Sequence, residues 1–167
     1  MMARHRTYAL LLASLAVVAD QITKRWAATG LTRAGGHMAL PGPVDLTLSL
    51  NQSNAFGLTP IVAHATRWFL MGGNLLVAAI ILYVLVIRRV RPLIGYGLAL
   101  IMAGAIGNAL DRVFFGAVVD FLDASKIGFD WIFNLADASI DAGIGLIVLD
   151  SLTERRGAVG KLNAEGG

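Results

Sequence analysis

Four stretches of this chain are predominantly apolar: residues 8–28, 68–87, 93–110 and 132–149. Each holds roughly 18 to 21 residues, enough for a hydrocarbon core of about 30 Å at about 1.5 Å per helical residue. In lipid such stretches must be helical, because open strands would leave backbone groups unpaired. Between the first two, the pattern changes period. Val44, Leu46, Leu48 and Leu50 alternate with Asp45, Thr47, Ser49 and Asn51. Period two predicts a half-buried strand, and Pro41-Gly42-Pro43 sets a turn before it. Residues 117–122 form a second extended candidate, so one small sheet would join the loops at 29–67 and 115–131.

The pattern predicts a mainly α membrane protein with four transmembrane helices. A small extracytoplasmic β element lies between helices 1 and 2, and a second outer loop between helices 3 and 4. Residues 1–167 would form a single integral membrane domain, with a frayed tail over about 157–167. Trp26, Trp68 and Trp131 are expected near the interface. Small residues in the spans, among them Gly104 and Gly107, allow close helix contacts.

Composition agrees with lipid. The chain is 56% hydrophobic and 15% charged, with a mean hydropathy of +0.68; soluble domains average about 25% charged. Arg4 and Arg6 precede the first span, Arg88, Arg89 and Arg91 fill the link between the second and third, and Arg155, Arg156 and Lys161 follow the fourth. With four spans these groups fall on one side, which is then cytoplasmic. Both termini are expected there, in a bacterial cytoplasmic (inner) membrane, with the longer loops outside. Pro92 fits the first turn of the third helix. The first span resembles a signal peptide, but Asp20 and Lys24 stand where a cleavage region is small and neutral, so a retained anchor is expected. The pI near 9.7 reflects basic residues at span ends, and no nucleic-acid partner is expected. Cysteine is absent and His5, His37 and His64 are scattered, which gives neither a thiolate nucleophile nor a metal-ligand spacing.

The informative residues are polar ones in apolar surroundings. Asp20 and Lys24 are i, i+4; Asn108 and Arg112 are i, i+4; Asn134 and Asp137 are i, i+3. Such pairs share a helix face, and all three fall at the outward ends of their helices. Asp120 lies in the extended candidate. A carboxylate near hydrocarbon is costly and marks function by default. Two that meet at one boundary share a proton, as aspartic proteases require. Local roles compete: Asp20–Lys24 as a neutralising ion pair, Asn134 as an N-cap with Asp137 at N3, Arg112 snorkelling to the interface. Asp123 and Asp130 are expected as solvated loop residues and Asp141 as a buried polar contact. The stretch from Gly104 to Gly107 lacks a Walker lysine and reads as helix packing.

The ordered motifs Asp20-Gln21-Ile22-Thr23-Lys24, Asn51…Ala55-Phe56-Gly57, Gly104-Ala105-Ile106-Gly107-Asn108-Ala109-Leu110-Asp111-Arg112, Val118-Val119-Asp120-Phe121 and Phe133-Asn134-Leu135-Ala136-Asp137 resemble those of the lipoprotein signal peptidases (signal peptidase II) of bacteria. The resemblance runs from Asp20 to about Leu149. It implies an intramembrane aspartic endopeptidase that removes the signal peptide from diacylglyceryl-modified prolipoproteins, cleaving before the lipidated cysteine. Asp120 and Asp137 would be catalytic. Asp20, Lys24, Asn51, Asn108, Arg112 and Asn134 would bind substrate or support the site. The partners implied are lipid-modified prolipoproteins, membrane lipids and globomycin-type inhibitors; a monomer with no cofactor and no metal is expected. Ser53 and Asn54 replace a glycine and an alanine usual in the second motif, and Ala103 stands where the third often begins with glycine. The competing class is a small proton- or ion-coupled membrane transporter, with carboxylates spread through the membrane depth or inverted repeats.

Overall fold

The computed structural model describes residues 2–52 and 60–165. Four helices carry the fold: α1 (Met2–Arg33), α2 (Pro60–Ile87), α3 (Pro92–Phe114) and α4 (Leu135–Glu165). The strands β1 (His37–Met38), β2 (Asp45–Asn51), β3 (Val118–Asp123) and β4 (Ile132–Phe133) form one antiparallel sheet in the order β1-β2-β3-β4. The predicted sheet linking the two longer loops is present, since β2 pairs with β3.

α3 is the central helix and packs against the other three. Its buried face is built largely of Gly and Ala, which lets backbones approach. Ala9 and Ala13 of α1 and Ala78, Ile81 and Leu85 of α2 close on Ala99, Met102, Ala103 and Ala105 of α3. Ala27 and Leu31 at the end of α1 meet Leu46 of β2 and Phe121 of β3, which seats the sheet on α1. The alternating face of β2 is buried only in part. Leu46 is buried, while Leu50 is exposed beyond a register shift between Leu46 and Ser49.

The helices are longer than their apolar stretches. α2 begins at Pro60 rather than near residue 68, because Pro fits a first turn and no second proline follows. Arg67 then donates to the Val113 carbonyl at 3.2 Å and lies over the Trp68 ring at 5.1 Å. α4 begins at Leu135, since Ile132 and Phe133 pair with Asp123 and Leu122 as β4. It continues to Glu165, through the stretch expected to fray; no proline interrupts it. Pro92 starts α3 as expected, and Gly116, at φ +77°, follows its end in the left-handed conformation.

Among the described residues, two helices are long and apolar enough to cross a membrane: Ala65–Ile87, with mean hydropathy 2.5, and Pro92–Phe114, with 1.7. α1 and α4 are not among these two, yet each shows an exposed apolar stripe. Leu11, Leu15, Val18 and Ile22 form one on α1, and Ile144, Val148 and Leu152 one on α4. At one end of the bundle, Arg6 of α1 donates to the Arg88 carbonyl at 2.9 Å. There too Arg91 pairs with Asp150 and Glu154 of α4. At the other end lie the sheet and the polar residues of all three helical pairs.

Candidate active site

The three helical pairs converge through side-chain contacts. Lys24 is fully buried. Its Nζ lies 3.0 Å from Asp20 Oδ2 and 2.8 Å from Asp111 Oδ2, and it donates to Asn108 Oδ1 at 3.0 Å. A buried ammonium is tolerable only with such compensation. Asp20 Oδ1 also accepts from the Ala136 backbone N at 2.8 Å, which ties α1 to the first turn of α4. Asp20 and Lys24 are thus the ion pair expected from spacing. Two further helices share it.

Asp111, within the third motif, belongs to the same cluster. It is fully buried, accepts from Gln21 Nε2 at 2.9 Å and from the Val119 backbone N at 3.0 Å, and pairs with Lys24. It thereby fixes β3 against α3 one residue before Asp120. The signal was available: Asp111 is three residues after Asn108, on the same helix face.

Asn134 lies between the two aspartates. Its Oδ1 accepts from the Asp137 backbone N at 3.0 Å, and Asp137 Oδ2 accepts from the Asn134 N at 3.3 Å. This is a reciprocal cap on α4, as the spacing predicts. Its Nδ2 donates to Asp120 Oδ1 at 2.6 Å and lies 3.3 Å from Asn108 Oδ1. Asn108 in turn donates from Nδ2 to Asp137 Oδ1 at 2.8 Å. Asn108 and Asn134 therefore tether both carboxylates, one from a strand and one from a helix N-terminus. Asn51, at the end of β2, also hydrogen-bonds the Asp120 carboxyl.

Asp120 is 3% exposed. Burial pushes its pKa up to about 6, and the nearby Asp137 charge adds to this; the hydrogen bonds from Asn134 and Asn51 oppose it. Arg112 is half-buried, donates from Nη1 to the Asn108 carbonyl at 2.9 Å and lies within electrostatic reach of Asp111, Asp137 and Asp120. Asp137 forms part of the wall of a cavity of about 440 Å³ whose other lining includes Phe129, Trp131, Phe133 and Ile140.

The remaining aspartates agree with expectation only in part. Asp123 is not simply solvated: Thr47 donates to it at 2.7 Å, Ser125 donates from both its hydroxyl and its backbone N, and these bonds hold its pKa down at about 2. Asp130 is exposed, as expected. Asp141 is exposed rather than buried, because it faces the cavity one turn beyond Asp137. Ser53 and Asn54, with the Ala55-Phe56-Gly57 part of the second motif, lie outside the described residues. Among the described residues no group of three His, Asp or Glu side chains is placed to hold a metal ion.

Known proteins are similar to this chain in sequence and in fold. The family described as Signal peptidase (SPase) II matches residues 12–153. A lipoprotein signal peptidase of Caulobacter vibrioides is 45% identical over 142 residues, covering 84% of this chain and 83% of its own length. One from Paraburkholderia phymatum is 35% identical over 147 residues, covering 87% and 88%. A bacterial membrane enzyme solved by the in meso method at 1.9 Å superimposes with a TM-score of 0.76 and 30% identity, over 87% of this chain and 93% of its own. A second, at 2.3 Å, gives 0.74 and 28%, over 89% and 90%. With a match spanning most of the sequence and a shared membrane-enzyme fold, this chain belongs to the signal peptidase II family.

Proposed function

We propose that the protein is an aspartic endopeptidase that removes the signal peptide from diacylglyceryl-modified prolipoproteins, with Asp120 and Asp137 as the catalytic pair. The observation that carries this reading is the tethering of both carboxylates by Asn134, through its Nδ2 to Asp120 and its Oδ1 to the Asp137 N. Family membership favours a peptidase over an ion-coupled transporter.

Two neighbouring carboxylates do not both ionise easily, so one keeps a proton. Burial makes Asp120 the holder of that proton. Asp137, at a helix N-terminus and accepting from Asn108, serves as the base. Asp137 takes a proton from water as the water oxygen attacks the scissile carbonyl carbon. Asp120 gives its proton to the carbonyl oxygen. Collapse of the tetrahedral intermediate breaks the C–N bond: Asp120 takes a proton back from one of its hydroxyls as the carbonyl re-forms, and the proton held by Asp137 passes to the leaving amine. Arg112 balances the charge of the pair or holds a substrate carbonyl. Asp20, Lys24, Asn51, Asn108 and Asn134 position these groups.

The apolar-lined cavity beside Asp137 suits a peptide carrying lipid, and a globomycin-type inhibitor would occupy the same cleft. In this reading all four helices span the cytoplasmic membrane in a single domain and the protein acts as a monomer. The exposed stripes of α1 and α4 support four spans. The gathering of Arg6, Arg88 and Arg91 at one end supports cytoplasmic termini and a site near the extracytoplasmic face.

The test is cleavage of a diacylglyceryl-modified prolipoprotein by purified protein, with and without globomycin. Asp120→Asn and Asp137→Asn keep size and polarity but cannot cycle a proton. Each should abolish cleavage, and the double variant should be hardly worse than either single one. Substantial turnover by either single variant at matched protein levels overturns the two-aspartate mechanism.

A further inference from the structure

We propose that the end of the bundle opposite the aspartates binds the phosphate-bearing headgroup of an anionic phospholipid. A cavity of about 350 Å³ opens between the start of α1, the end of α2 and the start of α3. His5, Arg6, Arg89 and Arg91 line it, together with apolar residues that include Leu85 and Gly95. Among the described residues no carboxylate lines it.

The cations are not equivalent. Arg91 is engaged by Asp150 and by Glu154, the latter at 2.9 Å. Arg6 donates from Nη2 to the Arg88 carbonyl, which orients its guanidinium but leaves its charge uncancelled. Neither Arg6 nor Arg89 makes an ion pair among the described residues. His5 Nδ1 is buried with no hydrogen-bond partner there. Two uncompensated guanidiniums and an unused imidazole nitrogen around one recess call for an anion. Guanidinium forks match phosphate oxygens, and an imidazole N–H supplies a further donor.

The apolar lining separates a lipid from a free ion. Ala9 and Leu85 are buried and Gly95 leaves room beside Val90, so one wall offers apolar contact to glycerol and upper acyl carbons. The exposed apolar faces of α1 and α2 begin beside it, at Leu11 and Val86. Basic recesses between helices at a cytoplasmic boundary are suited to lipid phosphates. The recess shares no residue with the aspartate site. Binding there needs only that this end of the helices lies at a membrane boundary.

The experiment is native mass spectrometry of the purified chain released from neutral detergent micelles. The probes are phosphatidylglycerol, phosphatidylcholine and inorganic phosphate. One phosphatidylglycerol should be retained about tenfold more strongly than phosphatidylcholine. Arg6→Gln/Arg89→Gln should erase the preference, while Arg33→Gln at the far end, which also removes a charge, should keep it. Circular dichroism and gel filtration establish that each variant is folded; Arg89→Gln alone, at an exposed side chain, should still weaken retention several-fold if the pair fails to fold. Equal retention of the two lipids, or retention unchanged in folded Arg89→Gln, overturns the site. Displacement of the lipid by low-millimolar inorganic phosphate overturns the assignment to a lipid and leaves a free-anion site.

Discussion

Asn134 and Asp120 are joined by a 2.6 Å hydrogen bond, and the same Asn134 caps the helix that begins with Asp137. One amide therefore sets the distance and orientation between a strand carboxylate and a helix carboxylate. Asn134→Ala removes the cap, at a cost of about 0.5–2 kcal/mol, and frees Asp120 to rotate. The variant should stay folded in detergent but lose most of its turnover, chiefly in kcat. Thermal unfolding and steady-state cleavage measure the two effects separately. Loss of stability with kcat intact would reduce Asn134 to a cap.

Asp120 gives a pH signature with a definite sign. Its pKa is pushed up from 3.8 to about 6, so the folded protein binds this proton more tightly than the unfolded chain. Folding therefore loses stability as pH rises from about 4 to about 6, and the loss stays constant above. Asp120→Asn escapes it. The variant should be more stable than the wild type at pH 8, by up to about 3 kcal/mol for a gap of this size, and the difference should vanish near pH 4. Tm against pH for both proteins is the measurement. In the wild type, the cleavage rate should also show a limb with an apparent pKa near 6 that belongs to the pair.

Lys24 and Arg112 were grouped as supporting residues, but their surroundings differ. Lys24 is fully buried between Asp20 and Asp111. Lys24→Ala leaves two buried carboxylates unpaired, a loss of about 3–5 kcal/mol, so the protein should fail to accumulate. Arg112 is half-buried at the edge of the site. Arg112→Ala should accumulate normally and lose activity. Asp141→Asn, at an exposed position, should keep most of it. Immunoblots of membranes and cleavage at matched levels decide; the reverse pattern for Lys24 and Arg112 would mean that the scaffold and the site have been exchanged.

The helices, the sheet between the loops and the cap on α4 were legible because each rests on a local pattern: long apolar runs, alternation over 44–51, and the i, i+3 pair Asn134 and Asp137. The short strands were not. β1 and β4 have two residues each, too few for any period. Ile132 and Phe133 read equally well as the start of an apolar helix, and only pairing with Leu122 and Asp123 makes them a strand. For Asp111 only the helix face shared with Asn108 was visible. Its partners Lys24, Gln21 and Val119 come from α1 and β3, and sequence spacing along α3 does not reveal them. Asp123 looked like a loop residue because its order comes from Thr47, 76 positions away.

The small residues of α3 make the last prediction. A Cβ at Gly107 would lie 2.5 Å from Asp20 Oδ2 and 3.2 Å from the Ala136 Cβ. Asp20 cannot simply swing aside, because Lys24 Nζ holds Oδ2 at 3.0 Å and the Ala136 N holds Oδ1 at 2.8 Å. Gly107→Ala must therefore push α1 and α4 apart or break the buried ion pair. Overpacking of this kind costs about 1–3 kcal/mol, and the residue displaced, Ala136, directly precedes Asp137. Both stability and turnover should fall. Gly72 of α2 is the control, since a Cβ there would meet nothing within 4 Å. Gly72→Ala should be neutral or stabilising, by up to about 1 kcal/mol from helix propensity, with activity unchanged. Thermal unfolding in one detergent compares the two. A Gly107→Ala protein as stable and active as Gly72→Ala would show that α3 does not pack against Asp20 and Ala136 as closely as described.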